Sequence, residues 1–322
     1  MTKPNILLLE SITNEALSIL ENGSNVFASS SPFTGEEIAE QHNIHAIVTR
    51  GKGDVSPALI SKCPDLQVIA RCGVGLDNVN ITFASQKGVK VVNTPGSNAD
   101  TVAEHTLALM LSLQRNLYNS IAAVKNSNWD FRKHYQGDEI RGKTLGILGL
   151  GNIGSKVARL AETFGLSIIY WDVAKKSGVD YLFLSLEEVF AKADLISLHL
   201  PLTEETKHLI NEEALQKIPP HCLLINTSRG SVIDQSALLI ALQEGQIGGF
   251  AADVLATEPP DKNDALLQLD NVLITPHSAS LTATTYNQMC VITAQNTIDL
   301  LQGNSISEKY IFNRNDLSHI DE

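Results

Sequence analysis

TLGILGLGNIG, residues 144 to 154, sets a Gly-x-Gly-x-x-Gly turn directly behind a short apolar strand. Leu145, Ile147 and Leu148 have the composition of a buried strand. Gly149 permits a tight turn, Gly151 lets the backbone approach a ligand closely, and Gly154 lets the next helix pack against the sheet. That helix carries Val157, Leu160, Ala161 and Phe164 at i, i+3, i+4 and i+7, the spacing of one apolar face. Its first amide groups therefore point back at the turn, where they suit a phosphate. A second strand, Ser167 to Trp171, runs into Asp172, eighteen residues beyond Gly154 and close to the roughly 20 expected for an acid that accepts hydrogen bonds from an adenosine ribose. An ordinary glycine-rich turn is the alternative for the glycines alone, but strand, turn, helix, strand and acid in this order read as a dinucleotide-binding unit. The carboxylate would repel a 2′-phosphate, which favours NAD over NADP, and the neighbouring Lys175 and Lys176 soften that preference.

Working outward, apolar runs at 195–198, 223–226, 250–253 and 272–275 continue the pattern of strands alternating with helices. An earlier series lies upstream, at 6–9, 46–49, 67–70 and 90–92. The expected fold is therefore α/β, with two doubly wound parallel sheets. Residues 101–117 read as one long helix, with Thr101 and Glu104 in capping-box spacing and apolar residues on nearly every side. It is expected to link the domains and to contribute to a dimer contact. Residues 282–301 read as a last helix that returns the chain to the first domain, followed by a polar, mobile tail after Asn313.

The composition bounds the function. A chain of 322 residues with 43% apolar content can bury two cores. A net charge of −12 disfavours a polyanion-binding surface, so nucleic acid is not an expected partner. Cys63, Cys72, Cys222 and Cys290 show no Cys-x-x-Cys spacing and read as reduced, mostly buried thiols. No leader sequence opens the chain, and the apolar run near residues 107–113 is far short of a membrane span. A soluble, cytoplasmic protein without membrane contact is expected. No cluster of ligands has metal-site spacing, so no metal is expected.

In an open parallel sheet, ligands bind outside the carboxyl ends of the strands. Three such ends carry reactive groups: Arg229 after one strand, Glu258 after the next, and His277 after the last. Arginine offers a fixed fork of donors that binds a carboxylate and polarises the carbonyl beside it. Histidine titrates near neutrality and can donate or take the proton of that carbonyl oxygen, while a glutamate against it favours the imidazolium. Taken singly, Arg229 could be a surface-pair arginine, Glu258 a solvated acid and His277 a satisfied loop histidine; their joint placement behind a dinucleotide motif favours chemistry. His199 reads as a wall of the cofactor pocket.

Five segments together, GILGLGNIG at 146–154, Asp172, NTSRG at 226–230, DVLATEPP at 253–260 and TPHSAS at 275–280, resemble the D-isomer-specific 2-hydroxyacid dehydrogenase family. The resemblance implies two Rossmann-like domains with a cleft between them, usually in a dimer. Residues 1–98 with 288–322 would bind substrate and residues 99–287 would bind NAD. It implies Arg229, Glu258 and His277 as the catalytic residues, and Gly149, Gly151, Asn152, Ile153, Gly154, Asp172, Leu200, Thr227, Ser228, Asp253 and Ser280 as the cofactor contacts. The string RCGVGLDNVN, whose Gly-x-Gly lacks a third glycine, has a family counterpart in which the backbone at Val74 and Gly75 holds the substrate carboxylate.

Within the family, NTPGSNADTVAEH and Arg71 look most like the phosphoglycerate dehydrogenases, although Arg71 also reads as a structural cation. The segment Arg50-Gly51-Lys52-Gly53 departs from the Arg-Ser-x-Thr pattern of that subgroup, while Arg50 and Gly51 remain candidates for holding an anionic substrate. The resemblance thus implies an NAD-dependent enzyme acting on a small anionic 2-hydroxy or 2-keto acid, 3-phosphoglycerate first. Glyoxylate or hydroxypyruvate reduction is the enzymatic alternative, and a dinucleotide-sensing corepressor the non-enzymatic one. No C-terminal regulatory domain is expected in the residues that remain.

Overall fold

The structure, a computed structural model, describes residues 3–317. The chain divides into two compact units: one is formed by the chain up to Asn98 together with the chain from Leu281 onward, and the other is Ala99–Ser280. The second crossing thus precedes the helix Ala283–Leu301, which belongs whole to the first unit and contains the 287/288 position expected from sequence.

The first unit holds a parallel sheet of β1 (Asn5–Leu8), β2 (Asn25–Ala28), β3 (Ala46–Thr49), β4 (Val68–Arg71) and β5 (Lys90–Val92), in the order β2-β1-β3-β4-β5. Alternate residues feed two cores. Ile6, Leu8 and Val48 pack with the helices Asn14–Gly23 and Ala283–Leu301 on one face, while Leu7, Ile47 and Ile69 fill the other. β2, absent from the sequence expectation, is a half-exposed edge strand with too little apolar patterning to stand out. Within the tail expected to be mobile, Arg314–Leu317 instead forms a helical turn. Just before it, buried Asn313 ties the chain end to the sheet, accepting from the Val91 amide at 2.9 Å and donating to Val89 O at 2.9 Å. Residues 318–322 of that expected tail lie outside the described residues.

The second unit holds seven parallel strands, β6 (Thr144–Leu148), β7 (Ser167–Trp171), β8 (Leu182–Phe183), β9 (Leu195–Leu198), β10 (Leu223–Asn226), β11 (Gly249–Ala252) and β12 (Val272–Ile274), in the order β12-β11-β10-β9-β6-β7-β8. Strand order reverses between β6 and β9, and the carboxyl ends of these two strands mark the ligand crevice of a doubly wound sheet.

The long helix expected over 101–117 is two helices. Ala99–Gln114 starts before the supposed capping box, and Asn116, at φ 45°, breaks the axis before Leu117–Lys125 begins. The helix behind the glycine turn, Asn152–Thr163, buries Val157, Ala158 and Ala161, whereas Phe164 ends it and is 47% exposed. No helix among the described residues is long and apolar enough to cross a membrane.

Candidate active site

The glycines at the end of β6 differ in what they permit. Gly149 has φ +92°, and a Cβ there would stand 2.7 Å from His199 O; a Cβ on Gly154 would lie against Gly149 O. Both are demanded by the protein's own packing. Gly151 is not: a Cβ there would meet no heavy atom within 4 Å. Its bare backbone therefore opens onto space a ligand can take. Gly151 is also the N-cap of Asn152–Thr163 and supplies no side-chain acceptor, so the first amides of that 12-residue helix, at Asn152 and Ile153, face the same space. These residues fit a pyrophosphate.

Asp172 follows β7 and is nearly buried. Its Oδ2 accepts from the Leu150 amide at 2.9 Å and lies 3.1 Å from Lys176 Nζ. The acid is thereby anchored to the glycine turn itself. On the other side of the switch point, Leu200 is buried and packs close to Gly149. His199 is fixed by its Nε2 contact with Ser197 Oγ at 2.9 Å, and burial lowers its pKa to about 3, which keeps the imidazole neutral.

Arg229, Glu258 and His277 come together beyond β10, β11 and β12. Asn226, the last residue of β10, staples the turn that follows: its Oδ1 accepts from Ser228 N and Oγ, and its Nδ2 donates to Arg229 O at 2.9 Å. Arg229 donates from Nη1 to Ser228 O at 2.8 Å, which fixes the guanidinium on its own turn. Thr227 and Ser228 are buried, with Thr227 Oγ1 2.9 Å from Thr106 Oγ1. Gly230 sets the approach of the next segment, since a Cβ there would collide with the Leu255 carbonyl and the Ala256 amide. That contact brings the loop carrying Glu258 up to the arginine turn.

Glu258 Oε1 accepts from the Leu255 amide at 2.9 Å and Oε2 lies 2.7 Å from His277 Nδ1. Burial pushes the Glu258 carboxyl up, but the His277 hydrogen bond, the Leu255 amide and the charges of His277 and Arg229 outweigh it and hold the pKa below the usual range. The hydrogen bond to Glu258 in turn raises His277, against burial and with help from the charges of Glu258 and Asp253; Arg229 acts the other way. With Nδ1–H engaged by Glu258, Nε2 is the ring atom left to handle a substrate proton.

His277 sits at φ 52°, a left-handed conformation that is costly for a residue other than glycine. Asp253 holds it there. This carboxylate is 2% exposed and accepts from Thr275 Oγ1 at 2.5 Å, Ser278 N at 2.9 Å and Ala279 N at 2.8 Å, gripping the turn on both sides of the histidine. His105, from the helix Ala99–Gln114, backs the same group, with Nε2 3.0 Å from Thr275 Oγ1. Neither the supporting role of His105 nor that of Gly230 follows from sequence, because each depends on a contact distant along the chain. Ser280, half-buried, closes the segment.

The first unit carries the remaining candidates. Its own strand reversal lies between β1 and β3, where Glu10 fills the position an anionic ligand would take. Glu10 Oε2 accepts from the amides of Arg50, Gly51, Lys52 and Gly53, all at 2.7–3.0 Å, and from Thr49 Oγ1 at 3.0 Å. The Gly51 amide is therefore already engaged, and Arg50 points its Nη1 to Tyr286 Oη at 3.4 Å. Arg71 ends β4 and lies across Gly73, whose missing Cβ would overlap the guanidinium, with Gly51 on another side. The following loop is tied by Asn93 Nδ2 to Val74 O at 2.7 Å and by Thr94 N to Gly73 O at 2.9 Å, which leaves the amides of Val74 and Gly75 directed away from those ties. Among the described residues no group of three His, Cys, Asp or Glu side chains could hold a metal ion.

Residues 107–279 match the model of the D-isomer specific 2-hydroxyacid dehydrogenase, NAD binding domain. A D-3-phosphoglycerate dehydrogenase of Methanocaldococcus jannaschii is 38% identical over 92% of this chain, which spans 57% of that protein's length. A hydroxypyruvate reductase of Thermotoga maritima is 36% identical over 88% of this chain and 94% of its own. Among solved structures, the D-lactate dehydrogenase of Aquifex aeolicus, complexed with NAD and lactic acid, superposes with a TM-score of 0.83 at 29% identity, covering 93% of this chain and 96% of that one.

Proposed function

Because this chain belongs to the D-isomer specific 2-hydroxyacid dehydrogenase family, we propose that it interconverts a small D-2-hydroxy acid and the matching 2-keto acid with NAD, 3-phosphoglycerate being the leading substrate. The observation that carries this reading is the 2.7 Å contact of His277 Nδ1 with Glu258, formed within reach of the Arg229 charge. Bound NAD supplies hydride chemistry. The fork of Arg229 binds the substrate carboxylate and polarises the adjacent carbonyl, and His277 Nε2 gives that carbonyl oxygen its proton in reduction or takes it in oxidation. Glu258 holds the imidazole in orientation and in its charged form.

Gly149 to Gly154, Asp172, Leu200, Thr227, Ser228, Asp253 and Ser280 are the proposed cofactor contacts. Val74 and Gly75, with Arg71, are proposed to hold the substrate's anionic groups; Arg50 and Gly51 support them from the loop organised by Glu10. Hydroxypyruvate or glyoxylate reduction is the second reading, favoured by the near full-length span of the Thermotoga relative. Rates on 3-phosphohydroxypyruvate, hydroxypyruvate and glyoxylate, each with NADH and NADPH, separate the two. A strong preference for glyoxylate removes the phosphate assignment, and no turnover on any of them favours the sensing role.

The pH profile provides a sharper test. Reduction needs the imidazolium, so kcat/KM is expected to be full below the raised pKa of His277 and to fall as pH rises through it. Glu258→Gln removes the main cause of the raised value, and the alkaline limb is expected to move to lower pH, toward the ordinary histidine value of about 6.5. A limb that stays in place separates Glu258 from the proton transfer.

The protein is proposed to act as a homodimer in the cytoplasm, the compartment that suits its four free thiols. Leu117, Ile121 and Val124 form an i, i+4, i+7 stripe that faces outward, beside Trp129 at 67% exposure. A second copy is its proposed occupant. Ile121→Glu is expected to shift the sedimentation equilibrium toward monomer; an unchanged dimer mass would place the interface elsewhere.

A further inference from the structure

Glu10, two residues beyond β1, is 8% exposed, and five donors converge on one of its oxygens. They are the amides of Arg50, Gly51, Lys52 and Gly53 and the Thr49 hydroxyl, at 2.7–3.0 Å from Oε2. Arg50 Nε stands 3.8 Å from Oε1. Successive amides turned toward one point form a concavity suited to an anion. Here the anion belongs to the chain itself. Burial pushes the Glu10 carboxyl up, but the amides of Gly53, Gly51, Arg50 and Lys52 outweigh it and hold its pKa below the usual range. Gly53 makes the closure possible, since a Cβ there would stand 2.8 Å from Leu9 Cβ.

Two links join the loop that Glu10 holds to the proposed substrate site. Gly51 is one wall of the Arg71 guanidinium, where a Cβ would stand 3.3 Å from Nη2, and Gly73 is another, where a Cβ would overlap the guanidinium. Arg71 thus lies between the Glu10 loop and the loop that continues into Val74 and Gly75. Asn78 ties the same two segments, donating from Nδ2 to Gly53 O at 2.6 Å and to Thr49 Oγ1 at 3.1 Å. We propose that Glu10 is a positioning residue for substrate binding: as the built-in occupant of the loop's anion site it fixes residues 50–53, and through Gly51 and Asn78 the place of Arg71, Val74 and Gly75. Without the carboxylate, five buried or half-buried donors lose their common acceptor, and the loop leaves this geometry to find others. Under the substrate role proposed for Arg71, Val74 and Gly75, on which this assignment rests, that loss weakens the hold on the keto acid and leaves the proton-transfer groups untouched.

The test is Glu10→Ala in the full chain, assayed with NADH and the parent's best keto acid. KM is expected to rise about tenfold, as for a binding group displaced by a fraction of an ångström. Turnover should stay within about twofold, the pattern of lost uniform binding. Sodium formate should enter the emptied loop, whose Gly51 and Lys52 are exposed, lowering KM toward the parent's value and raising the variant's melting temperature. Sodium chloride at equal ionic strength should do neither, and the parent should gain from neither salt. Glu10→Gln keeps an acceptor oxygen and the volume but not the charge; it should raise KM by a smaller factor that formate does not repair, and it decides the matter should Glu10→Ala fail to fold. Unchanged KM in the folded variants, or a raised KM in Glu10→Ala that formate does not lower, overturns the positioning role. A parent that turns over no keto acid strikes the proposed reaction instead. Oxamate affinity with NADH present, measured by calorimetry on parent and variants, then replaces KM with the same expected changes, and equal or absent oxamate binding overturns the assignment of Glu10.

Discussion

Arg229→Ala is expected to lower kcat/KM by about 1,000-fold, the magnitude associated with removing one preorganised electrostatic stabiliser from a reacting carbonyl. The guanidinium is held for this task. Its Nη1 is fixed on Ser228 O at 2.8 Å, and the backbone beneath it is stapled by Asn226. Alanine removes both the clamp on the carboxylate and the polarisation of the carbonyl. The glycine turn and Asp172 lie at the ends of other strands, so NADH affinity, followed by fluorescence titration, should change by less than about twofold. Arg229→Lys keeps the charge but loses the planar fork and should recover only part of the rate. Parent-like activity in Arg229→Ala would remove this residue from the mechanism.

His277→Gln should cost about 100- to 10,000-fold in turnover, the range for losing a positioned general acid. Glutamine keeps a side chain in the left-handed position that Asp253 enforces through Ser278 and Ala279, so the backbone cost is comparable while the titrating group is gone. The residual rate should lose the alkaline limb ascribed to the imidazolium. Steady-state rates across pH, with a melting curve to confirm the fold, check both parts. A residual rate that keeps the parental limb would assign the proton to another group.

The parts of this molecule legible in its sequence are those in which a residue's need is local. Gly149 and Gly154 serve steric demands within a few residues of themselves, and Asp172 ends the adjacent strand. Buried parallel strands such as β9 and β10 write themselves as short apolar runs. Arg229, Glu258 and His277 follow from the rule that ligands gather at strand ends, and their order along the chain is that of neighbouring strands β10, β11 and β12.

What escaped the sequence is contact across long separations. Gly230 looks like any turn glycine until Leu255 passes over it, and Glu10 gives no hint that the loop 50–53 will wrap its carboxylate. The break at Asn116 lacks a proline or glycine to announce it. Phe164 kept helical spacing after the helix had ended, so periodicity alone assigned it to a core it does not enter.

The most direct measurement is a crystal structure of the chain with NAD and a non-reactive 2-keto acid analogue. The Arg229 fork is expected on the analogue's carboxylate and His277 Nε2 about 2.6–3.2 Å from its carbonyl oxygen, with Glu258 still on Nδ1. An analogue bound out of reach of both Arg229 and His277 would contradict it.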